Sequence, residues 1–203
     1  MSTTGIRSDG PSLAGSHWPR TVLRVGFGVV WLVDAVMKWL PGFRSAYMDA
    51  VMGEGDGQPG WLEPWFRFWS AVQHPRVTAF EYLVAVVETL IAVAVILGFA
   101  RKLTYSAAIV FSLLIWGVAE GFGGPYTAGA ADVGTALIYA IVFVALLLFS
   151  YYDGAAPWSV DAVVERKFSW WYRVAEVGRR ASTANSLPTE SAHVSHVHQT
   201  IGA

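Results

Sequence analysis

Four long apolar segments limit what this chain can fold into. They occupy residues 22–40, 82–100, 103–119 and 133–152. A helix needs about 17 to 25 apolar residues to cross a bilayer core, so each segment is long enough. Only 14% of the residues are charged and 54% are hydrophobic, whereas a typical soluble domain is about a quarter charged. The sequence predicts an all-α, multi-pass protein of the cell membrane, built as a four-helix transmembrane bundle.

The basic residues predict the orientation of this bundle. Lys and Arg near the ends of a span resist translocation and mark the cytoplasmic side. Arg101 and Lys102 fill the turn between the second and third segments, other basic residues precede the first and follow the fourth, and residues 120–132 have none. The first loop, predicted to face outward, is an exception to this distribution of basic residues, because it contains Arg44, Arg67 and Arg76. Both termini are predicted to be cytoplasmic, with the first segment acting as an uncleaved signal anchor.

Four regions follow from the distribution of apolar and polar residues. Residues 1–19 are a polar leader, residues 20–152 form the bundle, residues 153–180 are a basic amphipathic helix on the inner leaflet, and residues 181–203 are a disordered tail. Within the first loop, Trp61, Trp65 and Trp69 recur at helical spacing. Because tryptophan prefers the headgroup level, this loop predicts a helix lying along the outer interface.

Several kinds of chemistry are excluded by composition. The chain has no cysteine, so it has no disulfide, thiolate metal site or iron–sulfur cluster. Its net charge of -1 gives no reason to expect a nucleic-acid partner. The tail histidines His193, His196 and His198 lack a carboxylate or cysteine to complete a site, and no metal site is predicted. No histidine lies within a span to bind haem, so no covalently bound cofactor is expected.

Ionisable residues inside the spans predict the position of a site. Asp34, Glu88 and Tyr139 all fall about 5 Å to the outer side of the midplane when about 1.5 Å is counted per residue, and Trp116 lies slightly higher. Residues seven apart lie on the same face of a helix. Further polar residues on the same helices are therefore expected to face the same side as this layer. The result is a polar pocket that opens outward and is lined by Asp34, Lys38, Glu81, Glu88, Glu120, Asp132 and Tyr139.

The same residues allow a purely structural interpretation. Asp34 and Lys38 are four apart and can form an ion pair, while Glu88 finds a partner on a neighbouring helix. Acids outnumber bases in this layer, however. At least one carboxylate is therefore expected to be protonated or matched by a cation, with Arg44 and Arg76 as available partners.

The residues after the third segment resemble a known family. The run Trp116-Gly117-Val118-Ala119-Glu120-Gly121-Phe122-Gly123-Gly124-Pro125-Tyr126, continued by Ala130-Ala131-Asp132-Val133-Gly134-Thr135 and Tyr139, is similar to the signature of the DoxD/DoxX membrane proteins. The first half fits the same family through Arg24, Gly28, Asp34, Lys38, Glu88, Leu97-Gly98 and Arg101. The resemblance covers residues 20–152.

This resemblance implies a four-span bundle and, for the DoxD branch, the membrane subunit of a thiosulfate:quinone oxidoreductase. A bound quinone is then the expected cofactor, and protein partners in a membrane redox complex are expected beside the lipid bilayer. Glu88, Asp34 or Tyr139 would supply protons to the quinone, and Lys38, Arg44 and Arg76 would attract the thiosulfate anion. Trp116 and Tyr126 would flank the quinone ring, with Glu120 and Asp132 completing the pocket.

Two other functions remain open at this point. One is a non-catalytic structural or assembly subunit of a larger membrane oxidoreductase or respiratory complex. The other is a small carrier of cations or protons, which would use the same acidic residues. A loss of turnover on substitution of Glu88 separates an active site from a purely structural role.

Overall fold

The fold is known from a computed structural model, which describes residues 18–126, 133–153 and 158–176. These residues form helices and connecting loops, with no strand in the described ranges. Short 3₁₀ turns lie at His74–Arg76 and Gly121–Gly123. The helices are α1 Trp18–Lys38, α2 Pro41–Gly53, α3 Glu63–Gln73, α4 Val77–Leu97, α5 Arg101–Val118, α6 Thr135–Asp153, α7 Val160–Lys167 and α8 Tyr172–Ala175.

Three helices in the described residues are long and apolar enough to cross a membrane. They are Glu63–Leu97, which joins α3 to α4 through a 3₁₀ turn, then Arg101–Val118 and Thr135–Tyr152. The predicted membrane character is confirmed at this level. α1 has 21 residues but is not among the three candidates, and it carries Arg24, Asp34 and Lys38.

The four long helices α1, α4, α5 and α6 share one apolar core. α1 packs along α4 and α5 packs along α6. Gly28 permits the first of these contacts, because a Cβ there would lie 2.7 Å from the Ile96 side chain. Trp31 and Phe143 are fully buried at the centre, with ring centroids 5.0 Å apart. Large side chains thus fill the centre where the four helices meet, and Gly28 allows α1 and α4 to approach each other closely.

Helices α2 and α3 form a helical cap, defined here as residues 41–73, over one end of this core. Proline lies in the first turn of each helix, where its missing N–H costs no hydrogen bond. Trp65 Nε1 donates to Gly117 O at 2.7 Å, and Phe66 is buried. Trp65 and Trp69 are in a helix as predicted, whereas Trp61 precedes α3 and remains exposed. Trp65, Phe66 and Trp69 pack against the protein.

The segment after α6 differs from the predicted single amphipathic helix. It contains two short helices, α7 and α8, separated by extended backbone at Phe168. Asp161 is fully buried and anchors this segment to the turn between α4 and α5. Asp161 was not among the residues singled out from the sequence. The predicted leader covered residues 1–19, of which Trp18 and Pro19 belong to α1. Its remaining residues, 1–17, and the predicted tail, 181–203, lie outside the described residues.

Candidate functional site

A cavity of about 450 Å³ lies between the helical cap and helices α4 and α5. Its wall is mainly apolar and aromatic, with two charged residues from α1 and α4. The residues that carry its chemistry are Lys38, Phe43, Tyr47, Trp69, Gln73, Phe80, Glu88 and Phe111. Concave apolar sites of about 300 to 1,000 Å³ with a few polar groups are typical of small-molecule pockets. The cavity is therefore the candidate site of this protein.

Glu88 is the most unusual residue in this wall. It is 0% exposed, and neither carboxylate oxygen has a hydrogen-bond partner among the residues that the structure describes. An ionised carboxylate is costly in such an environment unless a counterion or several donors reach it. Glu88 is therefore the first candidate for a chemical role among the residues of this wall.

The second charged residue, Lys38, is held by two neighbours. Its Nζ atom lies 3.1 Å from Asp34 Oδ1 and 5.3 Å from the centre of the Phe43 ring. The predicted ion pair between residues four apart is thus confirmed. The pairing still leaves N–H donors for a ligand, since an ammonium group has three N–H bonds.

Two further buried polar groups accompany Glu88. Ser112 Oγ and Trp31 Nε1 are both inaccessible to solvent and have no hydrogen-bond partner in the described part of the chain. The Trp31 ring also packs against Tyr139, with centroids 5.0 Å apart. Buried polar groups without a protein partner are the ones that bound water or ligand usually satisfies. Such groups thus come from α1, α4 and α5, and Trp69 Nε1 in the cavity wall is another.

A neutral hydrogen-bonded pair completes the cap side of the cavity. The Tyr47 hydroxyl donates to Gln73 Oε1, and both residues are buried. Burial, and to a smaller extent the charge of nearby Glu81, raises the pKa of the Tyr47 hydroxyl to about 12. Tyr47 consequently remains a neutral donor that positions Gln73.

The remaining predicted residues of the first half lie beside the cavity or away from it. Asp34 is not part of the cavity wall, but it is paired with Lys38, which is. Glu81 is buried but is not part of the wall. Arg44 donates to the Tyr82 hydroxyl at 2.8 Å, and Arg76 ends an exposed 3₁₀ turn.

The predicted residues after α5 form a separate structural cluster. Glu120 accepts hydrogen bonds from Ala136 N at 3.0 and 3.2 Å and so caps the start of α6. Trp116 Nε1 donates to Val133 O at 2.8 Å. Tyr126 is exposed and donates to Phe122 O, while Tyr139 packs in the aromatic core. Asp132 lies outside the described residues.

A pair of acidic residues marks the contact between the cap and this cluster. Burial, together with the nearby Glu120 carboxylate, raises the pKa of Glu54. Gln58 Nε2 donates to Gly121 O at 2.9 Å in the same place. Residues 120–126 of the run that resembles the DoxD/DoxX signature are thus outside the cavity wall, whereas Val118 and Ala119 of the same run are part of it.

Several residues of the cavity were missed by sequence reasoning. Tyr47 and Gln73 lie between the long apolar segments of the sequence, where only loops were expected, and Phe111 is an ordinary residue within an apolar span. The one available signal was the helical spacing of Trp65 and Trp69, which indicated a helix but not which side faces the protein. Their roles depend on how α2 folds back on α3.

Comparison of the chain with family models, curated proteins and solved structures finds no match. The resemblance to the DoxD/DoxX proteins therefore remains a prediction from the quoted motifs. The cavity, the buried carboxyl group and the paired lysine are the observations from which a function has to be argued.

Proposed function

We propose that this chain is the membrane subunit of a quinone-linked redox complex, resembling the DoxD subunit of thiosulfate:quinone oxidoreductase. The observation that carries the proposal is the position of Glu88, a fully buried carboxyl group in the wall of an apolar cavity of about 450 Å³. Lys38 lies in the same wall with its charge held by Asp34. A proton donor and a cation thus meet at one apolar site.

A quinone matches this combination of groups. Its ring is apolar and fits among Phe43, Trp69 and Phe111, where aromatic contacts add to burial. Its two oxygens take up two electrons and two protons to give the quinol. Lys38 stabilises the negative charge that develops on one oxygen, Glu88 donates one proton, and water supplies the second. The electrons come from the donor, thiosulfate in the DoxD branch, while the chain positions the quinone and delivers the first proton.

The proposal includes α1 as a fourth span. Charged residues are tolerated in a bilayer when they face the protein interior and are paired. Arg24 is 4% exposed and donates to Val95 O and Ile96 O at 2.8 Å each, at the end of α4. Lys38 is paired with Asp34. With both termini in the cytoplasm, the helical cap and its cavity face outward, as the basic residues of the turn between α4 and α5 favour.

A structural or assembly subunit is the second candidate. The ion pair between Asp34 and Lys38 favours it, because the pair satisfies both charges within α1 without any ligand. The two candidates differ in what they require of the cavity. An assembly subunit tolerates a filled cavity, whereas a quinone site does not.

The test is thiosulfate-dependent reduction of a short-chain quinone analogue by the protein purified in a mild detergent. We expect turnover by the unmodified protein and its loss in Ala50→Phe, which places an aromatic ring in the cavity. Ala107→Phe adds the same ring to an exposed position of α5 outside the cavity and is expected to retain turnover. Absence of turnover in well-folded protein, or equal turnover in both variants, contradicts the quinone site.

A further inference from the structure

Two polar residues of α3 line the cavity from the side of the cap. Gln73 and Trp69 both belong to the cavity wall and are four residues apart, so they lie on one face of α3. Glu88 and Lys38 line the same cavity from α4 and α1. The cavity therefore has polar groups on two sides, and the proposed proton transfer uses only the side of Glu88 and Lys38.

The side-chain amide of Gln73 is held in one orientation. Gln73 is 2% exposed, and its Oε1 atom accepts the hydrogen bond from the Tyr47 hydroxyl. Its Nε2 atom makes no hydrogen bond within residues 18–126, 133–153 and 158–176. Because Tyr47 engages the oxygen, the part of the amide left for a ligand is the NH₂ group with its two donors.

The indole of Trp69 supplies a further N–H group beside this amide. Its Nε1 atom is buried and has no hydrogen-bond partner in the described part of the chain. The ring packs against Trp65 and Phe68, with ring centroids 5.7 and 5.5 Å away. A buried donor is costly unless a bound water or a ligand satisfies it. Two side chains that are fixed by their neighbours thus present unsatisfied donors to the cavity.

The chemistry of these groups defines what they bind. The groups without a partner on this side are N–H donors, and an indole nitrogen cannot accept a hydrogen bond. They match an oxygen that accepts hydrogen bonds, such as a carbonyl oxygen. Glu88 and Lys38 act on one ligand oxygen from the other side of the cavity. A single ring with two carbonyl oxygens satisfies both sides at once.

We propose that Gln73 and Trp69 bind the second carbonyl oxygen of the quinone, an inference that rests on the proposed function. One oxygen of the quinone is then directed to Glu88 and the other to α3. The cap thereby selects ligands that carry two carbonyl groups. Tyr47 is a positioning residue, because it acts through Gln73.

The experiment compares two ligands by isothermal titration calorimetry of the full chain in a mild detergent. The first ligand, 1,4-naphthoquinone, has two carbonyl oxygens. The second, 1-tetralone, has nearly the same size and only one carbonyl oxygen. We expect the unmodified protein to bind naphthoquinone about tenfold more tightly than tetralone, the effect of one additional buried hydrogen bond.

Two substitutions remove the donors of α3. Trp69→Phe keeps an aromatic ring without the N–H group, and Gln73→Glu keeps an oxygen for Tyr47 without the amide donors. Each is expected to lower the affinity for naphthoquinone about tenfold and that for tetralone less than about twofold, because tetralone can direct its one oxygen to Glu88. Trp61→Phe makes the same change at an exposed position outside the cavity and is expected to bind both ligands normally.

The outcomes separate this inference from the proposed function. If naphthoquinone binds the unmodified protein and the folded Trp69→Phe, Gln73→Glu and Trp61→Phe variants alike, the inference is overturned while the quinone site is retained. Equal weakening of both ligands in the two α3 variants also overturns it, because tetralone does not require the α3 donors. Failure of naphthoquinone to bind the well-folded unmodified protein overturns both proposals. Circular dichroism of each variant verifies the helical fold independently of binding.

Discussion

Replacing Asp161 by Ala is expected to lower the free energy of unfolding by about 3 to 5 kcal/mol, the usual cost of leaving a buried charge without its partner. Asp161 is 0% exposed. It accepts hydrogen bonds from Ala100 N at 2.7 Å, from Arg101 N and Nε at 3.0 Å, and from Trp171 Nε1 at 2.9 Å. The substitution removes all four bonds and leaves Arg101 buried near Arg24.

Two measurements test this expectation. Denaturant unfolding in detergent reports the free energy, and limited proteolysis reports release of α7 and α8 from the other helices. Glu63→Ala is the matched control, because Glu63 pairs with Arg67 at 3.7 Å on the exposed surface, where such pairs contribute little. If Asp161→Ala and Glu63→Ala unfold alike, the carboxylate does not anchor the C-terminal segment.

Replacing Glu88 by Gln is expected to lower kcat for quinone reduction at least about 100-fold, the typical contribution of a positioned proton donor. Glutamine has nearly the same shape and can occupy the same buried position, but it has no acidic proton. Binding of the quinone analogue is expected to change less than kcat. The loss therefore appears in the chemical step.

The control for Glu88 lies on the same helix. Glu81 is also buried and is seven residues away, but it is not part of the cavity wall. Glu81→Gln is therefore expected to retain turnover. Size-exclusion chromatography and circular dichroism of both variants report assembly and fold. Normal turnover in Glu88→Gln would exclude the proton role, and loss of assembly in that variant would favour the structural subunit.

The helices could be predicted because each depends on a local pattern. The apolar segment 82–100 becomes α4 at Val77–Leu97, and residues 103–119 become α5 at Arg101–Val118. The turn between them follows from Gly98, whose positive φ of 64° caps α4 in the left-handed conformation. The pairing of Asp34 with Lys38 also follows from spacing alone.

The site could be predicted only in part, because its wall comes from segments that meet through tertiary packing. Glu88 and Lys38 were expected in a pocket and line the cavity. Glu120 and Trp116 were expected there too, but they bond to the backbone at the start of α6 and support the loop. The fold of the cap over α4 and α5 determines which residues face the cavity, and no periodicity in the sequence specifies it.

The central claim is that quinone occupies the cavity beside Glu88. The most direct measurement is photolabelling of the purified protein with a photoreactive quinone analogue, followed by peptide mass spectrometry to locate the adducts. We expect adducts on residues of the cavity wall such as Tyr47, Trp69 and Phe111, and their loss when unlabelled quinone is added in excess. Adducts confined to the exposed surface, or labelling that unlabelled quinone does not reduce, would contradict the claim.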